Sequence, residues 1–363
     1  MNRDTGIFDG LRGFMALWVL IGHCAGASAL NIPVINSPAT AVDVFMLISG
    51  FLMAWNYMKR ENREPWDSAS TVAKFYIRRF WRISPLYYLA LAFIYLTGFG
   101  TDPARQNGTG TDIFLHVTYL FGLFPQTASN NILPDWSLSL EVQFYALFPF
   151  LMLFVRRFGD LTFAVCCIAT YALASRFIAV SWEAPAAHAF VTFDQPSVLP
   201  LRICFFAIGM LSARLAANQA AAPARSAMIL AIGVMAAYQQ VLVVTITLVL
   251  VLSVIFDDSA RRFGNATRPL LDGIIGRYLG RVSYGVYLTH TLFLAAAERW
   301  LDATSWFSGA GHAGQFGILL ICVLVPSLIC AEIAYRLIET PGIALGRYLT
   351  SGVKAPRGLQ VAD

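Results

Sequence analysis

The chain has 363 residues, 57% of them hydrophobic and only 13% charged, with a net charge of +5. Soluble domains carry about 25% charged residues, and the apolar residues here gather in runs of about twenty, the length of a helix crossing roughly 30 Å of hydrocarbon. That argues against a soluble fold and against a nucleic-acid-binding surface, since the basic residues lie in short clusters between apolar runs; stretches such as 163–180 and 241–256 also lack the alternation of a membrane β-barrel.

In chain order, apolar spans are expected near 8–29, 41–58, 83–100, 137–155, 161–180, 198–216, 226–240, 241–256, 280–298 and 315–338. The piece 113–124 is too short to cross and is expected to lie at the interface. The fold class is therefore all-α, a polytopic membrane bundle of about ten helices. Basic residues set its orientation. With both termini in the cytoplasm, all of the 26 Lys and Arg fall in cytoplasmic loops or at their edges except Arg12, Arg105, Arg176, Arg202 and Arg299. Residues 1–345 read as one membrane domain and 346–363 as a short, disordered cytoplasmic tail. Ala27, Ser28 and Ala29 imitate a secretory cleavage site, but Asp9, Arg12 and His23 are foreign to a disposable leader, so the first span is read as retained.

An ionisable side chain inside a span costs roughly 2.5–3.5 kcal/mol and calls for a reason. In the first span Arg12 and His23 are eleven residues apart, which puts them on one helical face about 16 Å apart along the axis, with Asp9 near the same line. Singly, His23 reads as a core histidine and Arg12 as a snorkelling arginine. Groups at matching depth on other spans favour a site instead. Asp43 begins the second span at the level of His23. The fourth span enters through Asp135, Trp136 and Ser137, so Glu141 lies one turn deep on a face shared with Tyr145. In the span at 280–298, Ser283, Tyr287 and His290 share a face. Two histidines and two carboxylates at one level are equipment for general-base chemistry.

At the cytoplasmic end, Arg78, Arg79 and Arg82 cluster beside Lys74 and opposite Arg12. Guanidinium groups so placed bind phosphates in bidentate fashion, although topology alone also draws basic residues there. Cys24 points about 100° away from His23 and is not read as a nucleophile. The six cysteines have no metal-ligand spacing and read as small core residues. His116, His188 and His312 fall in or near outer loops, and no metal site is expected.

Several of these segments form an ordered set of motifs. They are Asp9-Gly10-Leu11-Arg12 through His23; Val42-Asp43-Val44-Phe45 through Ser49-Gly50-Phe51; Arg79 and Arg82 within 76–85; Trp136 through Glu141, followed by Phe144-Tyr145; Ser283-Tyr284 through His290; and Ile338-Glu339-Thr340-Pro341. Their order resembles the acyltransferase-3 family of bacterial membrane O-acyltransferases over nearly the whole chain. The resemblance is to the stand-alone type, similar to exopolysaccharide and nodulation-factor acetyltransferases, without an added esterase-like domain.

The resemblance implies a multi-pass protein of the bacterial inner membrane. It would move an acyl group, most often acetyl, from cytoplasmic acyl-CoA (acetyl-CoA above all) to a carbohydrate or glycolipid acceptor. Arg12, Arg79, Arg82 and Arg78 are expected to hold coenzyme A phosphates. His23, oriented by Asp43 or Glu141, is expected to act as base. His290 or a tyrosine would position the acceptor or stabilise the oxyanion, with Trp136, Ser137, Tyr145 and Tyr287 lining the substrate site. Membrane lipid is the remaining partner, and no nucleic acid or metal is expected. The alternative from another class is a proton-coupled transporter, because carriers also bury His, Asp and Glu.

Overall fold

The computed structural model describes residues 6–66, 68–100, 109–181, 189–217 and 267–351. The labelled elements are α1 (Gly6–Ala27), α2 (Pro38–Arg60), α3 (Ala69–Thr97), α4 (Gly110–Val117), α5 (Trp136–Phe177), β1 (Ile178–Val180), β2 (Val191–Phe193), α6 (Ile203–Ala217), α7 (Ile274–Leu301), α8 (Ser305–Ser308), α9 (Gly311–Ala334) and α10 (Thr340–Ser351). The stretches 6–27, 38–60, 136–177 and 311–351 are helical, long and apolar enough to cross a membrane. Helices α3 and α7, of 29 and 28 residues, have the length but carry arginines in their first halves. The expected spans at 226–240 and 241–256 lie outside the described residues. β1 and β2 form a small parallel pair that periodicity did not announce.

The spans expected at 137–155 and 161–180 are the two arms of α5, which reverses at Gly159. That residue has φ 86° and ψ 169°, a conformation that a side chain would make costly. Beyond it the second arm runs antiparallel to α6. Arg214 pairs with Asp160 at 2.5 Å, and the Cys204 thiol lies 3.7 Å from the Cys167 carbonyl. The interfacial piece is α4 followed by a short turn at Phe121–Leu123. At the other end, residues 346–351 are helical, within α10, and Thr350 is buried. The disorder expected from 346 onward therefore fails at its start, because α10 has a packing surface on α3.

Helices α1 and α7 run parallel and in register. A Cβ built on Gly13 would stand 2.6 Å from the Gly280 nitrogen, and one on Gly280 would stand 2.3 Å from the Asp9 carbonyl oxygen. Only glycine permits that approach, the close backbone packing that small residues give membrane helices. The Gly13–Gly280 offset is the same 267 residues that separates His23 from His290. The register set by the glycines in one half thus delivers both histidines to one level in the other. Gly280→Leu is expected to force the helices apart at a cost of about 1–3 kcal/mol. Thermal unfolding in detergent checks this; an unchanged midpoint would show that the contact does not hold the helices together.

Candidate active site

The Nδ1 atom of His23 lies 2.8 Å from Nε2 of His290. Their rings are near-parallel, with centroids 5.1 Å apart. The hydrogen-bond pattern fixes the tautomers. Nδ1 of His290 faces two backbone carbonyls of its own helix, Tyr287 at 2.7 Å and Val286 at 3.2 Å. A carbonyl only accepts, so that nitrogen carries the proton. In neutral His290, Nε2 is then the acceptor, and Nδ1 of His23 donates to it. The lone pair on Nε2 of His23 is left over. His290 is fully buried, whereas His23 is half-buried and lines a shallow groove with Gly22, Gly26, Asn36, Thr291 and Glu298.

Next to the pair lies a cavity of about 240 Å³. α1 supplies Asp9 and Arg12, α3 supplies Arg79 and Arg82, α5 supplies Ser137, Glu141 and Tyr145, and α7 supplies Ser283, Tyr284 and Tyr287. Glu141 accepts from the Ser49 hydroxyl at 3.3 Å and from the Tyr145 hydroxyl. Arg79 stacks its guanidinium over the rings of Tyr145 and Phe75, at 5.2 and 5.6 Å. At the cavity wall, Tyr287, whose ring centroid lies 6.1 Å from that of His290, bonds Ser137 through its hydroxyl at 2.6 Å and donates to the Pro134 carbonyl at 3.1 Å. Phe45 meets the Tyr287 ring edge to face. The cavity thus ends one side chain short of His290.

Three sequence expectations are redirected. Asp43 does not orient His23: it is buried at the start of α2, and its Oδ1 sits 3.1 Å from Nε of Arg202, the residue before α6. A buried guanidinium is a stronger claim on a carboxylate than a neutral ring. Arg78 spends its fork on Glu64, with bonds of 2.9 and 2.7 Å, and does not line the main cavity. Trp136 packs against the apolar core. Glu141 lies in the cavity with Ser49 and Tyr145, so the partner of His23 is an imidazole where a carboxylate was expected.

A second polar cluster escaped the sequence reading. His116, set aside as an outer-loop residue, is fully buried and stacked on Phe121 at 4.4 Å. Its Nδ1 is 3.2 Å from Asp112 Oδ1, and its Nε2 is 3.1 Å from the Asn131 amide and 3.7 Å from Asp135 Oδ2. Tyr95 and Asn130 donate to Asp112, and Tyr87 donates to Asp135. The network ties α3 and α4 to Asp135, the residue from which α5 starts toward Ser137 and Glu141. The available signal was Asp112 and His116 at i,i+4 spacing in a short amphipathic segment. His312, the other described outer histidine, bonds the Ser28 carbonyl at 2.9 Å.

A hydrogen-bonded histidine pair near an arginine-lined cavity in a helical membrane bundle is an arrangement suited to group transfer. Residues 6–335 match the family described as an acyltransferase domain, and the chain belongs to that acyltransferase-3 family. It is 25% identical to the acyltransferase MdmB of Streptomyces mycarofaciens, over 93% of this chain and 91% of that protein. It is also 25% identical to nodulation protein 10 of Rhizobium leguminosarum bv. viciae, over 47% of this chain and 51% of that one. Against the peptidoglycan O-acetyltransferase OatA of Listeria monocytogenes it is 27% identical over 41% of this chain and 24% of that one. No solved structure matches it. The protein is an acyltransferase, which decides against the carrier alternative.

Burial works against a charged His116, but Asp112 and Asp135 outweigh it and hold the pKa above the usual 6.5. A raised folded-state value adds stability that is complete below 6.5 and fades as pH rises through the folded value. Wild type should therefore lose stability on going from neutral to alkaline pH, and His116→Gln should lose that pH-dependent part. His116→Ala, which strands two carboxylates, is expected to cost about 3–5 kcal/mol. Parallel melting curves of wild type and His116→Gln across that range would refute the assignment.

Proposed function

We propose that this protein is an O-acyltransferase of the bacterial cytoplasmic membrane. It moves an acyl group, acetyl above all, from acyl-CoA to a hydroxyl of a sugar, a polysaccharide precursor or a lipo-oligosaccharide. In this reading the chain crosses ten times with both termini in the cytoplasm, so that the arginine end of the cavity faces the compartment where coenzyme A thioesters occur. Arg12, Arg79 and Arg82 bind the phosphates of the donor. Its acyl arm extends past Glu141 toward Tyr287, and the acceptor approaches His23 from the groove.

The observation that carries the proposal is the His23–His290 pair with its tautomers fixed. Nε2 of His23 takes the proton of the acceptor hydroxyl as that oxygen forms its bond to the thioester carbon. The C–S bond then breaks, and the proton passes from His23 to the departing thiolate. During the step, Nδ1–H of His23 stays bonded to Nε2 of His290, which spreads the charge of the transient imidazolium. Both ring nitrogens of His290 are engaged, so it is a positioning residue rather than a second base. The relatives named as acyltransferase, nodulation protein and peptidoglycan O-acetyltransferase support this class of reaction.

His23→Ala is expected to lower transfer by about 10²–10⁴-fold in protein that still folds and still binds donor. The assay compares the acetyl content of surface and secreted glycans, by mass spectrometry, in a deletion strain complemented with wild type or variant. Full complementation by His23→Ala would sink the base assignment. Arg79→Ala combined with Arg82→Ala should instead weaken acetyl-CoA binding by at least about tenfold, since each charge-assisted bond contributes roughly 1.5–3 kcal/mol. Unchanged affinity in equilibrium dialysis would return those arginines to a purely topological role.

A further inference from the structure

A smaller cavity of about 180 Å³ opens from the main one, sharing Met53, Asn56, Arg79 and Arg82 with it. Its walls add Arg60 at the end of α2, Arg78 of α3 and Arg347 of α10. Five guanidinium groups thus line a space whose only carboxylate among the described residues is Glu64, and Glu64 is held by both arms of Arg78. Among the described residues neither Arg60 nor Arg347 is in a close ion pair; Arg60 lies within electrostatic reach of Arg78, of Glu64 and of Arg347. Gathering like charges is unfavourable unless an anion sits among them.

The packing of α10 creates this arrangement. A Cβ on Gly346 would meet Trp81 at 3.0 Å and the Arg78 backbone at 3.5 Å, so the glycine lets α10 lie on α3 and sets Arg347 beside the arginines of that helix. Arg347 also lies beyond residue 335, where the family match ends.

We propose that Arg60 and Arg347 form a subsite for a phosphomonoester at the far end of the donor. Such a group carries about −1.5 to −2 charges and three acceptor oxygens, which suits two unpaired guanidinium forks. Because the two cavities share Arg79 and Arg82, a donor whose inner phosphates sit on those residues would carry a second, terminal phosphate into the smaller cavity. Coenzyme A has that pattern, a diphosphate and a separate 3′-phosphate, whereas a donor ending in a single phosphodiester does not. The inference rests on the acyl-CoA reading above and narrows it: the subsite makes the enzyme selective for the 3′-phosphate. The same chemistry would also accept the headgroup of an anionic lipid.

Equilibrium dialysis of the purified full chain in neutral detergent separates these cases, with coenzyme A and 3′-dephospho-coenzyme A as probes. Wild type should bind coenzyme A about tenfold to a hundredfold more tightly. Arg347→Ala, at an exposed position on α10, should abolish most of that preference while leaving affinity for the dephospho form unchanged, and Arg347→Lys should restore part of it. Equal binding of both probes by wild type overturns the subsite but leaves the donor reading intact. An equal loss of both probes in Arg347→Ala also overturns it, since a general electrostatic or structural role would then explain the cluster. Displacement of neither probe by phosphatidic acid in mixed detergent micelles supports the donor phosphate as occupant, whereas Arg347-dependent displacement without discrimination assigns the site to lipid. Binding of neither probe overturns the donor reading and the subsite together.

Discussion

The parallel packing of α1 on α7 is the constraint on which the rest of the structure depends. Gly13 and Gly280 let two backbones touch, and ten residues farther along each helix the same offset brings His23 to His290. Neither histidine could be aimed by its own helix alone. The cavity, the arginines and the groove are arranged around this seam. α2 and α3 close the cavity from one side, and α5 brings Ser137 and Glu141 into it from the other.

The helical face carrying Arg12 and His23 was legible in the sequence, because a period of 3.6 residues fixes azimuth along one helix. So was the cluster on α7, and so were most of the polar residues lining the cavity. Which partner each polar group chose was not legible. Depth along the membrane normal placed Asp43 at the level of His23, but depth says nothing about direction around the bundle. Asp43 turned to Arg202, which lies at the entry of a helix running parallel to its own. Two oppositely charged residues at the entries of two apolar segments were a legible signal for that pair.

Other features were hidden because they depend on contacts between distant segments. His116 looked like a loop residue since nothing in 113–124 reveals that Tyr87 and Tyr95 of α3 and Asp135 of α5 will enclose it. Arg347 looked like part of a frayed end because nothing in its own segment reveals that α10 packs on α3. The reversal at Gly159 was anticipated as a gap between two spans. Its form, one glycine with positive φ and no intervening loop, follows from the backbone freedom of that residue.

The choice of imidazole over carboxylate as the neighbour of His23 bears on how long a proton can reside there. A carboxylate would leave the charged ring in a stable ion pair, a resting place from which release is slow. A neutral ring, itself tethered to helix carbonyls, offers a dipole and no opposing charge. Under the proposed mechanism, a proton taken up by His23 would pass on to the sulfur just set free. An arrangement of this kind suits a site that must return its proton within the same turnover.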